Sequence, residues 1–277
     1  MCTTGVFRLA SGGYALFKNK DFGRAYFDDR IVLEPSVFGV SGTTSWAGVD
    51  PSLDQFSGFS VGANSSGLLC CDSNVVTLDG HVNYDIMVEV ALREGTNVES
   101  AISAVKKEVA KSPTSWGNMV LIDENSSASI EIRGTEIVAV PLIGANARTN
   151  HHLSLGDHEL QEDKTTTVPR FNSASKRLAE VKSVNDVFDL LKSHDDGDTG
   201  VCNHALHTTV YSYVLVRENN ETTLHVSQGQ PCLNNKVIVN KIPFGSAFSS
   251  QSVNDFIANY PSANKANFGV TVYLITL

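Results

Sequence analysis

The sequence has no apolar run near the roughly 18 to 20 residues that a membrane-crossing helix needs, and no basic segment precedes an apolar one at its start. Both absences lead us to expect a cytoplasmic protein without a membrane partner. Positive charge is in short supply: 21 Lys and Arg face 30 Asp and Glu, a net charge of -9. Nucleic acid and anionic lipid need a basic face, so neither is expected, whereas a small neutral or cationic ligand is. Cysteine is sparse as well. The five, Cys2, Cys70, Cys71, Cys202 and Cys232, are odd in number and contain no CxxC pair, which argues against a disulfide framework and a zinc ribbon. Asn64-Ser65-Ser66, Asn125-Ser126-Ser127 and Asn220-Glu221-Thr222 have the form of glycosylation acceptors, coincidental in a chain with no secretion signal. No Pro/Gly-rich linker, internal repeat or low-complexity tract divides the 277 residues, so one domain over 1–277 is expected.

What is present alternates between two periods. Cys2 to Leu9 and Tyr14 to Phe17 read as strands joined by Ser11-Gly12-Gly13, and Cys2 begins the first. Further strands are read over Phe59 to Ala63, Gly67 to Cys71, Met119 to Asp123, Ser129 to Arg133 and Glu136 to Val140. A hairpin follows from Thr208 to Arg217 and Thr222 to Ser227, turning at Glu218-Asn219-Asn220. Helices are read over Tyr84 to Leu92, Val98 to Lys111 behind an Asn97 cap, Ser173 to Lys182, and Val184 to Lys192 behind Ser183. Meandering strands broken by helix pairs suit an α+β layered domain better than a doubly wound parallel fold. The stretch 152–168 is polar and aperiodic, which suggests a lid loop beside the substrate.

Cys2 follows Met1, and a methionine aminopeptidase trims Met readily ahead of so small a side chain. The product would hold a thiol and a free α-amine on one residue, a nucleophile and a base roughly 3 Å apart. In solution those groups titrate near about 8.5 and about 8, so neutral pH leaves part of each in its reactive form. Attack of the thiolate on an amide carbonyl builds a tetrahedral oxyanion while the amine carries the proton to the departing nitrogen.

Five segments occur in an order that resembles the linear-amide branch of the N-terminal-nucleophile hydrolases, which includes choloylglycine (bile salt) hydrolases, penicillin V acylases and isopenicillin-N acyltransferase-like enzymes. They are Cys2-Thr3-Thr4, Lys18-Asn19-Lys20-Asp21-Phe22, Gly62-Ala63-Asn64-Ser65-Ser66-Gly67-Leu68, Arg148-Thr149-Asn150-His151, and Thr208-Thr209-Val210 with Gly229-Gln230-Pro231-Cys232. The resemblance implies a four-layer αββα sandwich of two antiparallel sheets with Cys2 at its mouth, and cleavage of an N-acyl amide through a Cys2 thioester. Acyl transfer to an amine belongs to the same chemistry, and a binding protein without turnover is the alternative on the same fold. The catalytic set it implies is Cys2, Lys18, Asp21, Asn64 and Asn150. Asp21 would hold the Cys2 rotamer. Asn64 and Asn150 would be the oxyanion donors, one through backbone N–H and one through its side-chain amide, each worth about 3 to 4 kcal/mol.

Lys18 lies three residues before Asp21, so strict strand alternation puts them on opposite faces, and a bulge or the strand's end is needed to bring both to Cys2. Lys18 also stands where the bile-salt branch carries Arg, exchanging a planar fork for a point charge. That branch uses a second, late Arg, for which Arg170 is the best placed here. Neither a cofactor nor a metal is expected: His151-His152 with His158 lack a completing carboxylate, and Cys202, Asn203, His204 and His207 read as loop residues before a strand. Substrate selection is assigned to Ser45–Gly58 and 152–168. Two open sheet edges would allow a homo-oligomer.

Overall fold

The first two strands are buried on both faces, which is why their sequences do not alternate cleanly. A computed structural model of the chain describes residues 1–23, 27–43, 55–75, 82–156, 164–205, 207–234, 236–262 and 269–272. In chain order the elements begin with β1 (Cys2–Arg8), β2 (Tyr14–Phe22), β3 (Arg30–Leu33), β4 (Val37–Thr43), β5 (Phe56–Asn64) and β6 (Leu69–Asn74). Helices α1 (Asp85–Glu94) and α2 (Val98–Val109) lead into β7 (Thr114–Ile122), β8 (Ser127–Gly134), β9 (Glu136–Pro141) and β10 (Asn146–Arg148). Then come α3 (Lys164–Leu178), α4 (Val184–Leu191), β11 (Thr208–Glu218), β12 (Glu221–Gln228), β13 (Ile238–Lys241), α5 (Ser250–Asn259) and β14 (Gly269–Val272).

These strands form two sheets, one ordered β10-β1-β2-β11-β12-β13 and the other β14-β3-β4-β5-β6-β7-β8-β9. Every described pairing is antiparallel except β14 with β3. Three apolar clusters fix the layering. Leu16, Val40, Val61, Val120 and Tyr213 pack between the sheets. Met87, Leu92 and Val105 of α1 and α2 pack on the far face of the larger sheet, against Leu121 and Ile130. Ala174, Phe188 and Leu191 of α3 and α4 do the same for the smaller sheet, against Phe17 and Val214. The order is helix, sheet, sheet, helix, the αββα sandwich expected above.

Both faces of a strand are therefore covered, and faces follow residue parity. Along β2, Leu16 enters the core between the sheets while Ala15 and Phe17 enter the core under the helices. Where β1 passes beside β2 there is no room for a side chain at Gly5, whose added Cβ would lie 2.5 Å from the Asn146 carbonyl and would collide with the Phe17 ring. The β11–β12 hairpin turns on Asn219 and Asn220 at φ of 51° and 61°, the left-handed pair of a tight two-residue turn.

Of the boundaries that differ from the sequence reading, two bear on the site. Strand β2 continues through Lys18, Asn19, Lys20 and Asp21, all buried, where polarity had suggested an end at Phe17. Helix α3 begins at Lys164 rather than Ser173, with Pro169 inside it. Residues 164–168 of the expected lid are thus helical, and 157–163 lie outside the described residues, as do 45–54 of the other selectivity loop.

Candidate active site

Cys2 opens β1 opposite Lys20, with Thr4 opposite Lys18, on the face that looks into the space between the sheets. It is buried to 8% exposure and lines a cleft whose walls also carry Lys18, Asp21, Asn74, Asp72 and Tyr84. Lys18 crosses from the smaller sheet to the larger one. Its Nζ lies 2.7 Å from Asp72 Oδ1, 2.8 Å from the Asp72 carbonyl, 2.7 Å from Ser60 Oγ and 3.0 Å from the Ser60 carbonyl. Burial opposes the Lys18 charge, yet Asp72 and then the Cys2 sulfur more than offset it, and the net effect raises the Lys18 pKa above its ordinary value. Lys18 is therefore a fixed cation in the cleft that Cys2 lines.

Behind Asp72 stands a second carboxyl, Asp85, the first residue of α1. Burial, then the Asp72 charge and a hydrogen bond to it, push the Asp85 pKa well above the carboxylate range. Asp72 Oδ2 is buried with no hydrogen-bond partner among the described residues, which leaves Asp85, when protonated, as the group placed to donate to it. Gly42 leaves space for this carboxyl, since a Cβ there would collide with Asp85. The row is Cys2 sulfur, Lys18 ammonium, Asp72 carboxylate, Asp85 acid.

The nitrogen of Cys2 faces a different set. It donates to Asn150 Oδ1 at 3.0 Å, an oxygen that also accepts from Arg170 Nη2 at 2.7 Å. Two donors on one atom fix the orientation of the Asn150 amide, whose Nδ2 then donates to the Asn74 carbonyl at 2.6 Å. Arg170 Nη1 reaches the Cys2 carbonyl at 2.8 Å and Thr3 Oγ1 at 3.1 Å, so one guanidinium holds β1 and Asn150 together. Arg170 is fully buried and comes directly after the Pro169 inside α3.

Asp21 resolves the alternation problem. Lys18 bonds the opposite sheet, whereas Asp21 Oδ1 accepts from the hydroxyl of Thr209, its pairing partner on β11, at 2.7 Å. The two carboxyl-bearing and ammonium-bearing side chains do lie on opposite faces of β2. The strand's end meets the chain terminus: the Met1 ammonium donates to the Asp21 carbonyl at 3.1 Å, and Asp21 N–H donates to the Met1 carbonyl at 2.9 Å. Burial raises the Asp21 pKa to about 6, with the terminal ammonium, Arg170 and Thr209 opposing the shift. Its Oδ2 is buried without a donor among the described residues.

Four of the five sequence candidates, Cys2, Lys18, Asp21 and Asn150, meet at this place, and the fifth does not. Asn64 is absent from the cleft, at the far end of the β5–β6 hairpin, about 17 Å along β6 from Asn74. Its Nδ2 donates to the carbonyls of Leu92 (3.0 Å) and Gly95 (2.7 Å), its Oδ1 accepts from Ser66 and Leu68 N–H, and its own N–H bonds the Leu68 carbonyl. Nothing is left for an oxyanion, which corrects its assignment as a donor. Asn74 is in the cleft instead, with a buried Oδ1 that has no donor among the described residues.

His151 bonds Thr149 and Thr167, and His152 packs near Trp116, while His158 lies outside the described residues. His207 faces the terminal ammonium and Arg170; burial first, then those charges, hold its pKa down at about 4, so its ring is neutral. Asp72, Asp85, Asn74 and His207 were not among the sequence candidates, because only the fold makes them neighbours.

Neither a protein-family profile nor a curated protein sequence matches this chain. Among solved structures it is similar to a variant of conjugated bile acid hydrolase from Clostridium perfringens, at a TM-score of 0.57 and 13% identity over all of both chains. A second variant of that hydrolase gives 0.54 and 14%, covering 87% of this chain and 92% of the other. Penicillin V acylase from Agrobacterium tumefaciens gives 0.49 and 14%, over 87% and 86%. The chain carries the N-terminal-nucleophile hydrolase fold of the first two. Among the described residues no helix is long and apolar enough to cross a membrane.

Proposed function

We propose that this protein is a cytoplasmic cysteine amidase that cleaves a linear N-acyl amide through a thioester on Cys2, formed after Met1 is removed. The observation that carries the reading is the division of surroundings at Cys2: a fixed cation, Lys18, on the sulfur side, and acceptors on the nitrogen side. Removing Met1 turns the Cys2 amide nitrogen into an amine at a position where Asn150 Oδ1 already accepts from it. It also frees the space now taken by the Met1 side chain, whose sulfur lies 3.2 Å from the Thr166 hydroxyl and 3.7 Å from Arg170 Nη2.

The steps follow from those positions. The Cys2 thiol passes its proton to its own amine, and the thiolate, stabilised by Lys18, attacks the carbonyl carbon of the substrate. The second N–H of Asn150 Nδ2 and the side chain of Asn74, which lines the cleft, are the amide groups we assign to the oxyanion in place of Asn64. The ammonium returns the proton to the leaving nitrogen, the C–N bond breaks and an acyl thioester remains. Water activated by the same amine then releases the acid. Asn150, held by Arg170, positions the amine, and Asp21 lies at the end of β2 beside it.

A small neutral N-acyl amide fits the acidic composition better than an anionic substrate does. Intact mass settles whether Met1 is gone, and a thiol-directed acyl probe should label the trimmed protein but not Cys2→Ala. Full-rate labelling of Cys2→Ala would refute the assignment. Retained Met1 together with saturable binding and no turnover would establish the binding-protein alternative. A panel of N-acyl substrates, scored for released amine with and without a competing amine acceptor, separates hydrolysis from transfer.

A further inference from the structure

Outside the Cys2 cleft, the fold gathers four metal-ligating side chains that are scattered in sequence. His194 follows α4, Cys202 and His204 precede β11, and Cys232 follows β12. One ligand atom from each lies within 4.8 Å of every other. The two sulfurs are 3.4 Å apart, His204 Nε2 is 3.1 Å from Cys232 Sγ and 3.5 Å from Cys202 Sγ, and the His194 and His204 rings stand 4.8 Å apart.

We propose that His194, Cys202, His204 and Cys232 form a structural zinc site, with one Zn²⁺ bound per chain by two thiolates and two imidazoles. Tetrahedral zinc with Zn–S of about 2.3 Å and Zn–N of about 2.05 Å places S and S about 3.8 Å apart and S and N about 3.6 Å apart. The three separations are each within about 0.5 Å of those edges, so Cys202, His204 and Cys232 need only a small outward movement, and with all four ligand atoms within 4.8 Å of one another His194 closes by about 1 Å. A disulfide would need the sulfurs to close from 3.4 Å to about 2.05 Å and would leave both imidazoles without a purpose. With four protein ligands there is no open position for substrate or water, which makes the site structural rather than catalytic.

The backbone already shapes the loop around these ligands. Cys202 N–H bonds the Ser193 carbonyl at 3.1 Å, His204 N–H bonds the Asp198 carbonyl at 2.7 Å, and Gly197 N–H bonds the His194 carbonyl at 3.0 Å. Cys202 is buried, His204 and Cys232 are half-buried and His194 is exposed, so an ion enters from the His194 side. Such a site joins the end of α4 to the end of the β11–β12 hairpin. Between two of its ligands, Asn203 N–H donates to Thr209 Oγ1 at 2.9 Å, and that hydroxyl holds Asp21. Metal binding therefore stiffens the support of Asp21 without touching the substrate.

The test is metal analysis of full-length protein prepared with thiols reduced and dialysed against micromolar zinc. The expected result is about one zinc per chain, lost in both Cys232→Ser and His204→Ala, with a lower melting temperature after chelation. Cobalt(II) titration of the unmutated protein needs no variant to fold: a tetrahedral visible spectrum with a thiolate-to-cobalt charge-transfer band supports the site. Fewer than about 0.1 zinc per chain, a cobalt spectrum without the thiolate band, unchanged zinc content in the variants, or an intact Cys202–Cys232 disulfide in reduced preparations would each overturn it.

Discussion

Replacing Asp21 by Asn should make the fold more stable at neutral pH while disabling the enzyme. The Asp21 carboxyl titrates near about 6 in the folded chain, raised chiefly by burial, against about 3.9 in an unfolded one. Between those values the folded state holds a proton that the unfolded state has released, so stability declines as pH rises from about 4 to about 6. Above about 6 the loss is complete. Two units at 1.36 kcal/mol each put it at about 3 kcal/mol, and Asp21 is 2% exposed, so solvent screening takes little from it. An Asn keeps the shape and the Thr209 contact but carries no charge to bury.

The decisive measurement is the difference in unfolding free energy between Asp21→Asn and the unmutated protein, taken by urea titration at several pH values from 4 to 7.5. That difference should grow by about 3 kcal/mol across the interval and then level off. Its pH-dependent part is free of whatever the amide gains or loses in hydrogen bonding. A flat difference over the whole range would refute the reasoning. Turnover of the unmutated enzyme should fall below pH about 6 as Asp21 takes up a proton, and Asp21→Asn should stay inactive at every pH.

Lys18→Met leaves Asp72 buried and unpaired, so thermal or chemical unfolding should show a loss of about 3 to 5 kcal/mol, with a smaller loss in the double variant carrying Asp72→Asn. Asn64→Ala removes four side-chain hydrogen bonds and should destabilise by about 3 kcal/mol, while kcat per folded molecule is unchanged; a specific loss of kcat would return Asn64 to the chemistry. Arg170→Lys loses the fork between the Cys2 carbonyl and Asn150 Oδ1, and kcat/KM should drop by about 10²-fold with the Cys2 thiol still open to alkylation.

The layered fold was legible because strand and helix periods and their order are local properties. Buried polar residues were less so. Strand β2 was read short, since Lys18 to Asp21 look like a solvated stretch until the opposite sheet and β11 supply their partners. Pro169 concealed the first turns of α3, because a missing N–H usually ends a helix. Arg170 could be named as the best-placed late Arg, but its contacts with Cys2 and Asn150 belong to the fold and not to any local pattern. For Asn64 the motif was correct and the role was not: an Asn ahead of Ser65-Ser66-Gly67 is a turn residue by its own chemistry, and the structure uses it as one. Cys232 lies 28 positions beyond His204 with a hairpin between them, a spacing that matches no local metal motif.

The two faces of β2 explain why the proposed chemistry sits at a strand end rather than in a loop. A residue in the middle of a sheet shows its side chain to one layer and spends its nitrogen on the next strand. At the first position of β1 the nitrogen is released from the ladder and meets a side-chain oxygen, Asn150 Oδ1, while the sulfur keeps its place between the sheets. Lys18 lies on the sulfur's face of β2, while Arg170 reaches the Cys2 carbonyl and Asn150 Oδ1 from the other, where Asp21 also lies. The opposed arrangement leaves Lys18 to pair with Asp72 across the sheets and Asp21 to accept from Thr209 on the other face.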